Sequence, residues 1–270
     1  DILSARGNPL SGEGARGMVA VRIRRMTRPH WLVLYGAVIA AWIALYLMAL
    51  PADLREAGAI YGAEFLRSLC IVTPDAAGFA GLVAMWLVMS AAMMAPTALP
   101  AFATYDELGA RSGLRLAPLL GGYLLVWGGF SVLTAGAQMA LTGAGALTVF
   151  GDSRSAALSG ALLVFAGLYQ FSALKEACLS QCRAPLAFFM QHWAEGPFRN
   201  GLRLGAVCVG CCWALMLLAF VGGVMNLAFM GLATLVMALE KLTWIGERIT
   251  RPLGVALIAG GLATLGAALF

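Results

Sequence analysis

What this 270-residue sequence has least of is charge: Asp, Glu, Lys and Arg make up 11% of it, against roughly 25% in a soluble globular domain. A chain this poor in charge and 61% hydrophobic cannot keep a wetted surface, which excludes an ordinary soluble enzyme. Histidine is nearly absent too. His30 and His192 form no His-x-x-x-His pair, so a histidine-based zinc or iron centre is not expected. The sequence holds no glycine-rich phosphate loop, no zinc-finger spacing and no internal repeat. It also lacks the strand-helix-strand pattern that surrounds a thioredoxin-type C-x-x-C motif.

What is present is apolar length, with a mean hydropathy of +0.86. A membrane-crossing helix needs about 20 mainly apolar residues. Such stretches occur at 31–50, 77–99, 116–141, 156–174, 204–224, 225–239 and 253–270. The expected fold is therefore all-α, a polytopic transmembrane bundle of about seven helices with membrane lipid as its surroundings. Gly222, Gly223 and Asn226 punctuate the fifth and sixth segments as a tight hairpin, and one long kinked helix is the alternative.

Basic residues set the orientation, because they accumulate in short cytoplasmic loops. With the amino terminus inside, 15 of the 18 Lys and Arg residues are cytoplasmic, and only Arg55, Arg67 and Arg154 lie outside. That places the chain in the cell (inner) membrane as a multi-pass protein. The net charge of +5 then reports topology rather than nucleic-acid binding. Residues 1–29 read as a disordered basic tail, with Met18 a candidate natural start, and residues 30–270 as the transmembrane domain. The first apolar run exceeds a signal-peptide core and has no small-residue cleavage site after it, so it is expected to be retained.

Chemistry must come from the few polar and sulfur residues in or beside these helices. Cys178 and Cys182 sit four apart in KEACLSQCRAP, and Cys208, Cys211 and Cys212 share a helix face in CVGCCW, with Met216 extending the stripe. The expected topology puts all five at the cytoplasmic level, where thiols stay reduced, while Cys70 stands alone outside and reads as packing. Met93 and Met94, in MSAAMMAPTALP, fall at the same inner level, and Pro96 should kink that helix end and free carbonyls. Met85 and Met89 read as apolar filler. Clustered thiolates and thioethers favour Cu(I). Glu240 and Lys241 close the sixth segment, and Lys241 is expected either to snorkel with Glu240 as its partner or to be functional. Lys175 and Arg183 flank the first cysteine pair as anchors or as cations beside its thiols.

AMWLVMSAAMMAPTALP, GYLLVWGGF, YQFSALKEACLSQCRAP, GAVCVGCCWALM, GGVMNLAFM and LEKL occur in this order, and in this the chain resembles domain of unknown function 2182. That family is described as predicted metal-binding integral membrane proteins, often labelled copper chaperones. The resemblance implies a metal role. It places the family's characteristic residues at Met93, Met94, Pro96, Tyr169, Gln170, Lys175, Cys178, Cys182, Arg183 and Pro185. In the carboxyl-terminal half they fall at Cys208, Cys211, Cys212, Trp213, Met216, Met225, Asn226, Glu240 and Lys241.

The expectation is thus a membrane protein that binds Cu(I) for delivery, assembly or transport. Its metal ligands are Cys178, Cys182, Cys208, Cys211, Cys212, Met93 and Met94, with Met216, Met225, Asn226, Glu240 and Lys241 as outer candidates. A metal-donor or acceptor protein, or a membrane complex, is the expected partner, and no catalytic activity is expected. A membrane thiol oxidoreductase and a structural subunit of a membrane complex are the alternatives.

Overall fold

The computed structural model describes residues 29–50, 69, 73, 75–109, 116–243 and 245–268. The tail expected at 1–29, apart from Pro29, and Cys70 lie outside the described residues. The described residues are helical, without a strand, as the apolar periodicity requires. The helices are α1 (Pro29–Ala49), α2 (Ala76–Gly109), α3 (Leu116–Gly143), α4 (Ala156–Tyr169) and α5 (Ala173–Arg183). They continue with α6 (Pro185–His192), α7 (Pro197–Leu217), the short α8 (Ala219–Gly222), α9 (Leu227–Glu240) and α10 (Gly246–Ala267). Residues 1–40 and 41–270 form two compact units. In the first, the Trp31 and Tyr35 rings lie 5.8 Å apart along α1, tilted by 36°. The rest of this subsection concerns the second.

Among the described residues, 5 helices are long and apolar enough to cross a membrane, or 6 if α4 and α5, bent by 62° at their break, count as one span. The expected sixth span is shorter than that. α9 has 14 residues, about 21 Å at 1.5 Å per residue, well under the roughly 30 Å of a hydrocarbon core. It is nonetheless separate from α7: Gly223 adopts φ 94°, and Asn226 caps α9 by accepting from the Phe229 amide at 3.1 Å. The hairpin reading of that boundary holds.

Pro96 does not end its helix. α2 runs through Pro96 and Pro100 for 34 residues. Lacking an N–H, Pro96 leaves the Ala92 carbonyl without its helical donor. The Trp42 indole supplies one at 3.0 Å. The proline thus frees a carbonyl, as expected, and that acceptor ties Trp42 to α2.

Two helix crossings fix the frame around the site. α4 and α10 meet through Gly160 and Gly167 against Gly261 and Gly254, where a Cβ on Gly160 or Gly167 would stand 2.8 Å from the facing carbonyl. Small residues allow this backbone approach, as in apolar membrane interfaces. The other faces of α10 leave Val255 and Leu262 exposed. α3 and α7 cross similarly at Gly205, whose Cβ would sit 2.9 Å from Val126 Cβ. That second crossing holds the cysteine-bearing helix against Tyr123.

Candidate metal centre

Cys208, Cys211 and Cys212 occupy i, i+3 and i+4 on α7, so one helix face presents all three. Each is 1–2% exposed, and their sulfurs all lie within 4.8 Å of one another. The Cys211 and Cys212 sulfurs are 3.2 Å apart, and the Cys211 thiol donates to the Cys208 carbonyl at 3.1 Å. α5 adds a second layer. Cys182 Sγ stands 3.8 Å from Cys211 Sγ, and Cys178 packs over Gly210, where a Cβ would come within 2.5 Å of its sulfur. Glycine at 210 leaves room for the Cys178 sulfur where it stands. The result is a graded set, three sulfurs buried in α7 and two half-buried in α5.

A cation completes the arrangement. Lys241 Nζ donates to Cys208 Sγ at 3.1 Å and to Thr97 Oγ1 at 2.6 Å. The Tyr123 hydroxyl lies 3.2 Å from the same sulfur and donates to the Met94 carbonyl at 3.2 Å, which also accepts from Thr97 at 2.9 Å. The Cys208 sulfur is therefore held from α3 by Tyr123 and from the end of α9 by Lys241, and α2 backs both through Met94 and Thr97. Three soft donors, one ammonium and, among the described residues, no carboxylate grouped with them describe a site suited to a thiophilic metal.

A family model, PpoB2, described as a copper chaperone, matches residues 83–264. The chain belongs to this family. The match starts within α2 and ends in α10, so it takes in all five clustered cysteines of this PpoB2 chain together with Tyr123, Thr97 and Lys241. Neither the curated proteins nor the solved structures yield a match.

Several expected site residues of this PpoB2 chain fall elsewhere than the sequence suggested. Glu240 is not the partner of Lys241. Its carboxylate takes two bonds from Lys175 Nζ, at 2.8 and 3.0 Å, with both side chains almost fully buried. Sequence adjacency misleads here because consecutive helical positions point about 100° apart. Lys175 is consequently occupied by Glu240 rather than placed beside the Cys178 and Cys182 thiols. Arg183 is likewise engaged, its Nε donating to the Glu240 carbonyl at 2.9 Å. Asn226 is a helix cap, and it and Met225 lie at the opposite end of α9 from Lys241, about 21 Å along the axis. Met216 continues the cysteine stripe one turn beyond Cys212 and is buried. Met93 and Met94 are buried on α2, and Met94 meets the site through its carbonyl oxygen.

Tyr123 and Thr97 are site residues that the sequence marks only by position, Tyr123 in GYLLVWGGF and Thr97 directly after Pro96, because neither type is a soft ligand. Tyr169 is marked by the resemblance alone. Its hydroxyl donates to the Gly210 carbonyl at 2.5 Å, and its ring packs on Trp213 at 5.2 Å, fixing α4 against the cysteine helix.

Proposed function

We propose that this chain is a multi-pass inner-membrane protein, its amino terminus cytoplasmic, that takes Cu(I) as cargo in the Cys208, Cys211 and Cys212 pocket and hands it to an acceptor protein or membrane complex. The observation that carries the reading is the convergence of three buried sulfurs within 4.8 Å, with Lys241 on one of them. Membership of a copper-chaperone family supports copper over other thiophilic metals. The resemblance to domain of unknown function 2182 implies the same role. In this reading Cys178 and Cys182 form the outer step of an exchange path, since Cys182 is 3.8 Å from Cys211 and both α5 cysteines are half-buried. Lys241 balances the charge of a bound thiolate in a low-dielectric pocket. In the same reading Met93 and Met216 are soft secondary donors, while Met94 contributes its carbonyl oxygen to Tyr123 and Thr97.

The deciding experiment is metal content by mass spectrometry on the full chain, purified anaerobically in detergent, with and without Cys208, Cys211 and Cys212 together replaced by Ser. Copper near one equivalent in the parent and near none in the variant is the expected outcome. Stoichiometric copper of unchanged affinity in the variant would remove the site.

One observation favours a second reading, a thiol oxidoreductase: the 3.8 Å approach of Cys182 to Cys211 joins two helices that a disulfide could bridge. Adjacent Cys211 and Cys212 are poorly placed to bridge each other on a helix. Alkylation in intact cells separates the readings. Free thiols at all five positions support the copper site, and a resting Cys182–Cys211 bridge supports redox chemistry.

A further inference from the structure

Five thiols are more than the inner pocket uses. Cys208, Cys211 and Cys212 come within 4.8 Å of one another and by themselves surround one position for a soft cation. Cys178 and Cys182 stand outside that trio, one turn apart on the face of α5 that lies over α7. The 3.8 Å between Cys182 Sγ and Cys211 Sγ is inside the limit that bounds the trio, so the gap between the layers is no wider than the pocket itself.

The outer pair is held in place by contacts that involve no sulfur. Lys175 and Arg183 bracket it in the chain, and both end on Glu240 of α9. Lys175 Nζ donates to the carboxylate at 2.8 and 3.0 Å, and Arg183 Nε to the carbonyl at 2.9 Å. Beneath the pair, Gly210 admits the Cys178 sulfur, and the Tyr169 hydroxyl holds the Gly210 carbonyl from α4. A pair fixed by such surrounding contacts needs no metal to draw it over α7, as in a preorganised site.

The sulfurs differ in what they have left to offer. Cys208 is taken up by Lys241 at 3.1 Å and by Tyr123 at 3.2 Å. Cys211 has sulfur on both sides, Cys212 at 3.2 Å and Cys182 at 3.8 Å, and is where the layers meet. Its thiol donates to the Cys208 carbonyl at 3.1 Å, and that proton leaves to water when a metal is ligated. The thiolate then has lone pairs for two ions.

We propose that the five cysteines hold two Cu(I) ions that share Cys211. One lies among Cys208, Cys211 and Cys212, and the other between Cys211 and Cys182, with Cys178 as its third sulfur. The proposal rests on the copper reading above and adds that the outer step of the exchange path is a metal position in its own right. The buried pocket fills first, and the half-buried position second.

The test uses the full chain in detergent, purified anaerobically and titrated with Cu(I) against a competing chelator. Bound copper is counted by mass spectrometry, and the neighbours of the metal are read by X-ray absorption. The parent should pass from one equivalent as purified to two at saturation, and a copper–copper vector should appear only with the second. Cys182→Ser should stop at one equivalent, held as tightly as the first copper of the parent, which also shows that its pocket is folded. Should that variant not fold, the parent titration decides by itself. A parent that saturates at one equivalent, or a Cys182→Ser variant that still reaches two, overturns the second position. Two equivalents without a copper–copper vector overturn the sharing of Cys211. A parent that binds no copper at all overturns the copper reading itself, an outcome distinct from saturation at one.

Discussion

Glu240 and Lys241 are neighbours in the chain, yet they end in two different kinds of pocket. Glu240 turns to Lys175, and the two form a sealed pair with both carboxylate oxygens engaged. Lys241 turns to Cys208, Thr97 and, beyond them, Tyr123, where its charge meets sulfur and hydroxyl but, among the described residues, no carboxylate. The first pocket is electrically complete and ties α5 to α9. The second is not, and its shortfall of negative charge is what a thiolate ligand would supply. A buried cation with a carboxylate partner is therefore structural in this protein. The other cation, part-buried Lys241, faces sulfur and hydroxyl instead.

The comparison is broken most severely at the sealed pair. Glu240→Gln keeps the side-chain shape but strands the Lys175 ammonium, and breaking a buried pair from one side costs about 3–5 kcal/mol. The thermal unfolding midpoint in detergent should drop sharply, and copper should be lost only as a consequence of unfolding. Replacing both residues by apolar ones, Lys175→Met with Glu240→Leu, should recover most of the loss, because a well-packed apolar pair can replace a buried ion pair. A single variant as stable as the parent would mean that the pair holds nothing together.

At the second pocket the same kind of change should affect binding more than folding. Lys241→Met keeps an unbranched apolar stem and removes the charge. A hydrogen bond to a charged group is worth about 1.5–3 kcal/mol, so Cu(I) affinity, measured by competition with a chelator, should fall roughly 10- to 100-fold. Unchanged affinity together with a collapsed melting temperature would make Lys241 a second structural cation and erase the distinction. Tyr123→Phe is a finer probe of the same pocket. It deletes one neutral hydrogen-bonding group at Cys208, worth about 1 kcal/mol, and should weaken copper by roughly fivefold. An effect as large as that of Lys241→Met would show that the hydroxyl, and not the charge, controls the sulfur.

The cysteine face was legible because helical spacing is a local property: i, i+3 and i+4 share a face whatever the helix packs against. The all-helical architecture was legible for a related reason, since apolar length leaves a membrane chain few alternatives. The partners of the cations were not legible. Whether Glu240 meets Lys241 or Lys175 depends on the rotation of α9 and on the bend that brings α5 back across α7, and neither is encoded in the few residues around LEKL. Helix ends were similarly hidden. That Pro96 frees a carbonyl is legible, but that α2 continues for 34 residues is not, nor that Trp42, fifty residues before Ala92, supplies the donor the freed Ala92 carbonyl needs. The shortness of α9 was set by Gly223 and Asn226 at one end and by the turn after Glu240 at the other, inside a run of uniformly apolar sequence.

A third charge, left in water, gives the smallest effect and calibrates the other two. Asp75 stands just before α2, where the Thr73 hydroxyl at 2.6 Å and the Gly78 amide at 2.9 Å hold its carboxyl below the ordinary value. A carboxyl held low in the folded state contributes stability that is present above its unfolded pKa and disappears as pH falls through its native one. Thr73→Val removes the largest cause while keeping the side-chain shape. The parent should melt slightly higher than this variant at neutral pH and down to about pH 4, and the gap should close as the medium is acidified below the native pKa of Asp75. The Lys241→Met difference in copper affinity should not follow that course, because no part of it depends on a carboxyl. A melting gap of constant size from neutral pH into acid would show that Thr73 acts through packing instead, and that this exposed carboxylate contributes nothing through its charge.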